Sequence, residues 1–212
     1  MYEKVIKRFL DVIMAFVLFI ISLPILFVSA IAIKLDSKGK IIFKQKRVGK
    51  DGQVFYIYKL RTMSKDKNGV NKVTKVGKFL RITSIDELPQ FINIIKGDMS
   101  FIGTRPWIES YSKYFTDEDK RRWKVLPGIS GYAQVNGRNG MTIKEKIAAD
   151  IWYVDNISFL TDLKILFKTV NIVIKKDGAS ISEKGIRDEL KKLEKMYNET
   201  TIANHELQEK IS

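Results

Sequence analysis

The sequence predicts an α+β fold, mainly helical: an N-terminal apolar helix, a short β-hairpin, and amphipathic helices around a compact domain. Three observations lead there. Residues 12–33, "VIMAFVLFIISLPILFVSAIAI", run for 22 positions without a charge. Residues 40–63 alternate apolar and polar around a "GKDG" turn. From residue 76 onward, apolar residues recur at helical spacing. The 212 residues suffice for one domain with attachments. The expected divisions are a membrane-inserted helix over 1–36, a folded domain over 37–180 and a charged helical tail over 181–212.

The apolar run would measure roughly 33 Å as a helix, about the thickness of a bilayer's hydrocarbon. It is too long for a signal peptide, and no small-residue cleavage site follows it. A plain span is one reading. Basic residues flank both sides, however: Lys4, Lys7 and Arg8 before, then Lys34, Lys38, Lys40, Lys44, Lys46, Arg47 and Lys50 after. A single crossing should be asymmetric, because positive charge stays on the cytoplasmic face. Pro24 falls mid-run, where it removes a backbone hydrogen bond and kinks a helix, and Ser22 can help satisfy the freed carbonyls. A re-entrant helix, returning to the face it entered, accounts for both features. On these residues alone both readings stay open.

Ile41, Phe43, Val54, Tyr56 and Tyr58 supply the apolar side of the hairpin. Residues 64–75, "SKDKNGVNKVTK", read as a polar loop, and 76–97 as mainly helical. Helices are expected near Trp107 and Asp117. "LPGISGYAQVNGRNG" (126–140), with four glycines, reads as a loop holding a short strand at most. Over 142–156, Ile143, Ile147, Ile151 and Val154 share a helical face. "ISFLTDLKILFKTVNIVIKK" (157–176) is helical and apolar nearly all round. It suits a buried core helix, or one lying in a membrane interface with snorkelling lysines. In the tail, Ile186, Leu190, Leu193, Tyr197, Thr200, Asn204, Leu207 and Ile211 form heptads with two polar positions, fitting a solvated helix better than a coiled coil.

Lys and Arg outnumber Asp and Glu by 38 to 24, a net charge of +14 that favours anionic partners. The absence of cysteine excludes disulfides, thiolate zinc sites and a cysteine nucleophile. The single histidine, His205, lies in the polar tail and argues against a histidine base.

"SIDELPQ", residues 84–90, sets Asp86 beside Glu87. Ser84 with Glu87 three positions on fits a capping box, and acidic residues suit a first helical turn. Yet Pro89 should leave the Ile85 carbonyl unbonded, and cations come at the pair from separated segments: Lys59, Arg61, Arg81 and Arg105. Arginine forks and helix-start amides grip phosphate. Two carboxylates would repel a phosphate unless a divalent cation intervened, and Mg²⁺ prefers carboxylate and phosphate oxygens. A carboxylate can then attack phosphorus. A non-enzymatic basic module binding lipid or nucleic acid, and a metal-dependent phosphohydrolase, are the competing readings.

"IKRFLD", "YKLRTM", "SIDELPQFINIIKGDMSFIG" with its following "RP", "PGISGYAQVNGRN" and "DIWYVDNISFLTDLKIL" occur in that order with consistent spacing. Across roughly residues 1–180 the chain resembles the bacterial sugar transferase family, and within it the small monotopic phosphoglycosyl transferases. The resemblance implies transfer of a phosphosugar from a UDP-sugar to a polyprenol phosphate, releasing UMP, at the cytoplasmic face of the bacterial inner membrane. It implies a re-entrant membrane helix kinked at Ser22 and Pro24. Asp86 would be nucleophile and magnesium ligand, Glu87 its partner, and Lys59, Arg61, Arg81 and Arg105 substrate-phosphate ligands. Gln134, Asn136 and Arg138 are candidates for nucleotide contacts. Membrane lipids are expected partners and nucleic acid is not; a homodimer is allowed. The chain departs from the family's common pattern at Thr104 (commonly Pro), Leu126 (commonly Arg) and Tyr132 (frequently Trp).

Overall fold

A computed structural model of the chain describes residues 2–66, 69–137 and 141–175, together with Glu194. The expected tail helix lies outside these residues except for Glu194, and Arg138 lies outside them altogether. After a π-helical turn (Tyr2–Lys7), α1 runs over Arg8–Asp36 with Pro24 inside it. Only Asp11, Ala15, Ser22, Ser29 and Ile33 are buried along it, a narrow stripe at spacings of four and seven. Phe9, Phe16, Ile21, Phe27, Val28 and Leu35 are exposed. A soluble core helix would bury such residues; this one is long and apolar enough to cross a membrane. The Ser22 hydroxyl donates to the Phe19 carbonyl at 2.7 Å. That acceptor lies one residue before Ile20, the carbonyl that Pro24 leaves without its donor.

The hairpin forms as expected. β1 (Ile42–Val48) pairs antiparallel with β2 (Val54–Leu60), and Asp51 takes a left-handed conformation (φ 54°) in the turn. The polar 64–75 stretch corrects the loop reading: β3 (Met63–Lys65) and β4 (Asn71–Val73) pair antiparallel within it. Backbone pairing has joined strands whose side chains are too polar to announce it.

Next come α2 (Lys75–Ile82), capped by the Thr74 hydroxyl accepting from the Gly77 N–H, and α3 (Gln90–Lys96), closed by Gly97 at φ 97°. A Cβ at Gly77 would meet the Thr62 carbonyl oxygen at 2.1 Å, so the glycine lets α2 press on the end of the hairpin. Asn93, fully buried, donates to the Tyr56 carbonyl (2.7 Å) and accepts from the Tyr58 N–H (3.1 Å), which fixes α3 on β2. Ala15, Ile57, Phe91, Ile94 and Met99 form the core where α1, β2 and α3 meet.

β5 (Ser100–Ile102) pairs in parallel with β6 (Gly128–Ser130). A Cβ at Gly103 would meet the Leu126 carbonyl oxygen at 2.2 Å, so glycine permits the approach just past β5. Between the strands lie the short α4 (Glu109–Ser112) and α5 (Asp117–Lys120). After β6 the loop reading fails a second time, because Tyr132–Gly137 forms a helix, α6. Its glycines stand at the ends and leave "YAQVN" free to wind.

α7 (Ile143–Asp155) starts with a capping box between Thr142 and Glu145. Ile143 and Ile147 are buried as the periodicity predicts, but Asp150 and Tyr153 complete the buried face in place of Ile151 and Val154. α8 (Phe159–Ile174) buries only Asp162 and Ile165 fully, and Phe159, Leu160, Phe167, Val170, Val173 and Ile174 are exposed. It is not a core helix.

Both ends of α1 are tied to this unit. At its start, Lys7 donates to Asp162 at 2.6 Å, Arg8 to the Ile94 and Ile95 carbonyls at 2.7 and 3.1 Å, and Asp11 accepts from the Phe101 N–H at 3.3 Å. At its end, Arg61 donates to the carbonyls of Lys38 (2.9 Å), Ser37 (2.6 Å) and Ile33 (3.3 Å). Arg8 and Arg61 thereby add side-chain donors to the carbonyls at the C-terminal ends of α3 and α1.

Candidate active site

The backbone at Asp86 is not a capped helix start. Ser84 has φ 56°, a left-handed conformation that costs a non-glycine residue energy, and its side chain caps nothing. Ile85–Glu87 is a single 3-10 turn, and the Ile85 carbonyl accepts from the Leu88 N–H at 3.2 Å. Pro89 leaves that carbonyl bonded after all, because the tighter turn takes its donor one residue earlier. The capping-box reading is therefore corrected: Glu87 turns away from Ser84 and pairs with Lys59 of β2.

The turn aims the two carboxylates differently. Asp86 is buried, 7% exposed, with no ion-pair partner within 4 Å among the described residues. Burial, then the neighbouring Glu87, push its pKa up to about 6, against the opposing pull of Lys59 and Arg81. Burial works in the same direction on Glu87, but Lys59 first and then Arg105 outweigh it and hold that carboxyl below its ordinary value. The pair thus divides into a carboxylate in direct contact with a cation and one that Lys59 and Arg81 reach only at longer range.

Arg81 reaches this corner from α2, its Nε donating to the Thr62 hydroxyl at 2.9 Å. Arg105, just past β5, is fixed by its backbone: its carbonyl accepts from Arg122 at 2.5 Å, and Asp150 accepts its N–H. Arg122 and Asp150 form a fully buried ion pair, with Arg122 over the Trp107 and Phe115 rings at 5.4 and 5.7 Å. The Thr104 hydroxyl donates to the Arg122 carbonyl at 3.1 Å, so the position that is commonly proline is secured by a hydrogen bond instead.

A narrow cleft beside Glu87 is lined by Arg47, Lys59, Glu87, Gln90 and Arg105, walled by Ile57, Pro106, Gly128 and Ile129. Of the sequence-predicted residues, Glu87, Lys59 and Arg81 act on Asp86, while Arg105 acts on Glu87 and lines the cleft with it; Asp86 itself is not among the cleft's lining residues. Arg61 does not join them, because its guanidinium is spent on the end of α1. Gln134 donates to the Ile129 carbonyl at 2.9 Å, one residue behind the cleft wall. Asn136 faces α8, donating to the Tyr132 carbonyl and accepting from Lys168 at 2.6 Å. Leu126 lines a separate cavity with Lys7, Arg8, Asp11 and Tyr153.

Sequence reasoning missed Arg47, Gln90, Arg122 and Asp150. Arg47 was counted only among the flanking charges. Asp150 did carry a signal: it lies seven residues after Ile143 and three after Ile147, on the apolar face of α7, where an acid needs a buried partner.

Magnesium fits this donor set in one way. Among the described residues no group of three or more His, Cys, Asp or Glu gathers. An all-protein calcium or zinc cage is therefore absent from them, whereas Mg²⁺ commonly takes one or two carboxylates and fills its sphere with water and substrate phosphate. Asp86 is the protein ligand such an ion would use.

An apolar anchor helix joined to a carboxylate pair ringed by cations defines a membrane-associated protein shaped for anionic substrates. The chain belongs to the bacterial sugar transferase family, whose model matches residues 2–176. It is 42% identical over 182 residues to the uncharacterized sugar transferase EpsL of Bacillus subtilis, covering 82% of this chain and 90% of that one. It is 40% identical over 190 residues to the UDP-glucose:undecaprenyl-phosphate glucose-1-phosphate transferase of Caulobacter vibrioides, covering 82% and 71%. A third relative is the UDP-N-acetylgalactosamine-undecaprenyl-phosphate N-acetylgalactosaminephosphotransferase of Aeromonas hydrophila, 39% identical over 189 residues, with 82% of this chain and 45% of that protein covered. The chain is thus an enzyme, a phosphoglycosyl transferase, and the reading as a non-catalytic binding module falls away.

Proposed function

We propose that this enzyme transfers a phosphosugar from a UDP-sugar to undecaprenyl phosphate, yielding undecaprenyl-diphosphate-sugar and UMP. The observation that carries the site assignment is the division of labour at residues 86 and 87: Glu87 takes the lysine, and Asp86 stays buried with no ion-pair partner within 4 Å among the described residues. An Asp86 carboxylate oxygen attacks the β-phosphorus. The bond from that phosphorus to the bridging oxygen breaks, and UMP leaves with the oxygen. A phosphate oxygen of the polyprenol then attacks the acyl phosphate, and the Asp86–phosphorus bond breaks to restore the carboxylate. Lys59, Arg81 and Arg105 hold phosphate oxygens throughout. Magnesium, bound at Asp86, would neutralise charge on the diphosphate. The relatives act on different sugars, so the donor is to be read from a panel. Incubation with undecaprenyl phosphate and a series of UDP-sugars should release UMP only when lipid acceptor, one particular sugar and a divalent cation are all present. Release without lipid would instead mark a hydrolase.

The same reading places the enzyme on the cytoplasmic face of the inner membrane with α1 re-entrant. Support comes from the tethers at both ends of α1 to one charged, folded unit. Such a unit cannot enter hydrocarbon, so a helix held by it at both ends enters and leaves by a single face. The exposed apolar side of α8, with Lys164 and Lys168, suits the adjoining interface. Single cysteines at Glu3 and Lys38, in a chain that has none of its own, should label from the same side; labelling from opposite sides overturns this topology.

A further inference from the structure

Arg47 is the member of the cleft that neither sequence pattern nor its place on β1 explains. Nη1 donates to the Pro106 carbonyl at 3.0 Å and Nη2 to Gln45 at 2.6 Å, while the buried Nε has no partner. A guanidinium carries five N–H donors, so these two bonds leave most of its capacity unused. It also faces a like charge. Burial and then Arg105 lower its pKa to about 10, with Glu87 pulling the other way. A carbonyl tether could be made by a neutral amide, without the cost of a second half-buried cation beside Arg105. Arg47, Lys59 and Arg105 converge here on one carboxylate, Glu87, leaving two positive charges in excess. The cleft they line is narrow and open on one side, with about 20 Å³ of space accessible to water.

We infer that Arg47, Lys59 and Arg105 form a hole for phosphoryl oxygen of the donor diphosphate, with Arg47 as a substrate-binding residue. The inference rests on the transferase reading above and deepens it. The argument is the lining: three cations meet one carboxylate in a narrow cleft, and the Arg47 Nε still lacks an acceptor that a phosphoryl oxygen would supply. The excess charge matches the charge that a diphosphate brings.

Arg47→Gln keeps a donor for Pro106 and removes the charge. With the full chain in detergent, affinity for inorganic pyrophosphate, read by calorimetry, should fall roughly ten- to a hundredfold, as expected for one charge-assisted contact. kcat/KM for the UDP-sugar should fall by a similar factor, while the melting temperature of the unliganded protein stays within a few degrees. Arg47→Lys keeps the charge and loses the fork, so its loss should be smaller, and it serves where the glutamine variant fails to fold. Pyrophosphate affinity and donor kcat/KM equal to wild type in the folded variants would overturn the inference and leave Arg47 a tether of the Pro106 loop. If the wild type released no UMP from any donor, the transferase reading would fail instead, and pyrophosphate affinity would still decide whether the hole takes a phosphoryl oxygen.

Discussion

Asp86 and Asp150 are the same residue under nearly the same burial, 7% and 1% exposed, and the fold uses them oppositely. Asp150 sits inside α7 with Arg122 on one side and the Arg105 N–H on the other, so its charge is consumed in holding the loop that carries Arg105. Asp86 sits on a strained 3-10 turn whose lysine has been given to its neighbour. Burial alone therefore says nothing about role. A buried carboxylate bonded to a guanidinium and an N–H is structure, while one with no direct ion pair among the described residues is available for chemistry.

The comparison is broken most directly at Asp86. Asp86→Asn keeps the shape and removes the nucleophile, so UMP release should fall by more than about a thousandfold while the melting temperature is kept. Intact mass of the wild type, incubated with donor but no acceptor, should show a phosphosugar adduct that the variant lacks. Near-normal turnover in Asp86→Asn would make it a second Asp150.

Asp150→Ala should do the reverse. It strands Arg122 as an uncompensated buried charge, which costs about 3–5 kcal/mol, a large share of a domain's stability. Denaturant unfolding measures the loss. A fully stable Asp150→Ala protein would show that Arg122 needs no counter-ion.

Glu87→Gln tests the boundary between the two roles. Losing the Lys59 pair at this part-exposed position should barely change stability, since such pairs contribute on the order of 0–1 kcal/mol. Activity should nevertheless fall roughly ten- to a hundredfold, because Lys59 loses the charge that positions it beside the phosphate. A stability loss without an activity loss would move Glu87 to the structural side. The smallest effect belongs to Thr104→Val, which deletes one hydrogen bond to the Arg122 carbonyl and should cost about 1 kcal/mol in the same unfolding measurement.

Legibility from the sequence followed the range of the interaction. The uncharged run, the "GKDG" hairpin and the first turns of the α7 face are local patterns, and they appear where expected. Residues 64–75 and 132–137 were misjudged because glycine, asparagine and charge mark turns in isolation, yet neighbouring backbone supplied pairing partners and helical bonds. At the site, Lys59 and Arg81 act on Asp86 and Lys59 and Arg105 on Glu87, whereas Arg61, two residues beyond Lys59, turns to the end of α1. Residues two apart on a strand share a face, so only the course of the chain past Leu60 separates their roles.

The sequence by itself determined that the chain carries an apolar helix flanked by cations and an Asp-Glu pair beside proline, since charge, length and residue order need no fold to be read. Tertiary structure decided which carboxylate keeps its charge free, which arginines face it, and that both ends of α1 return to one unit. Those outcomes depend on contacts such as Lys59 with Glu87 and Arg122 with Asp150, each 28 residues apart in the chain. Only packing brings such groups within a few ångströms, and only there do burial and charge set what each one does.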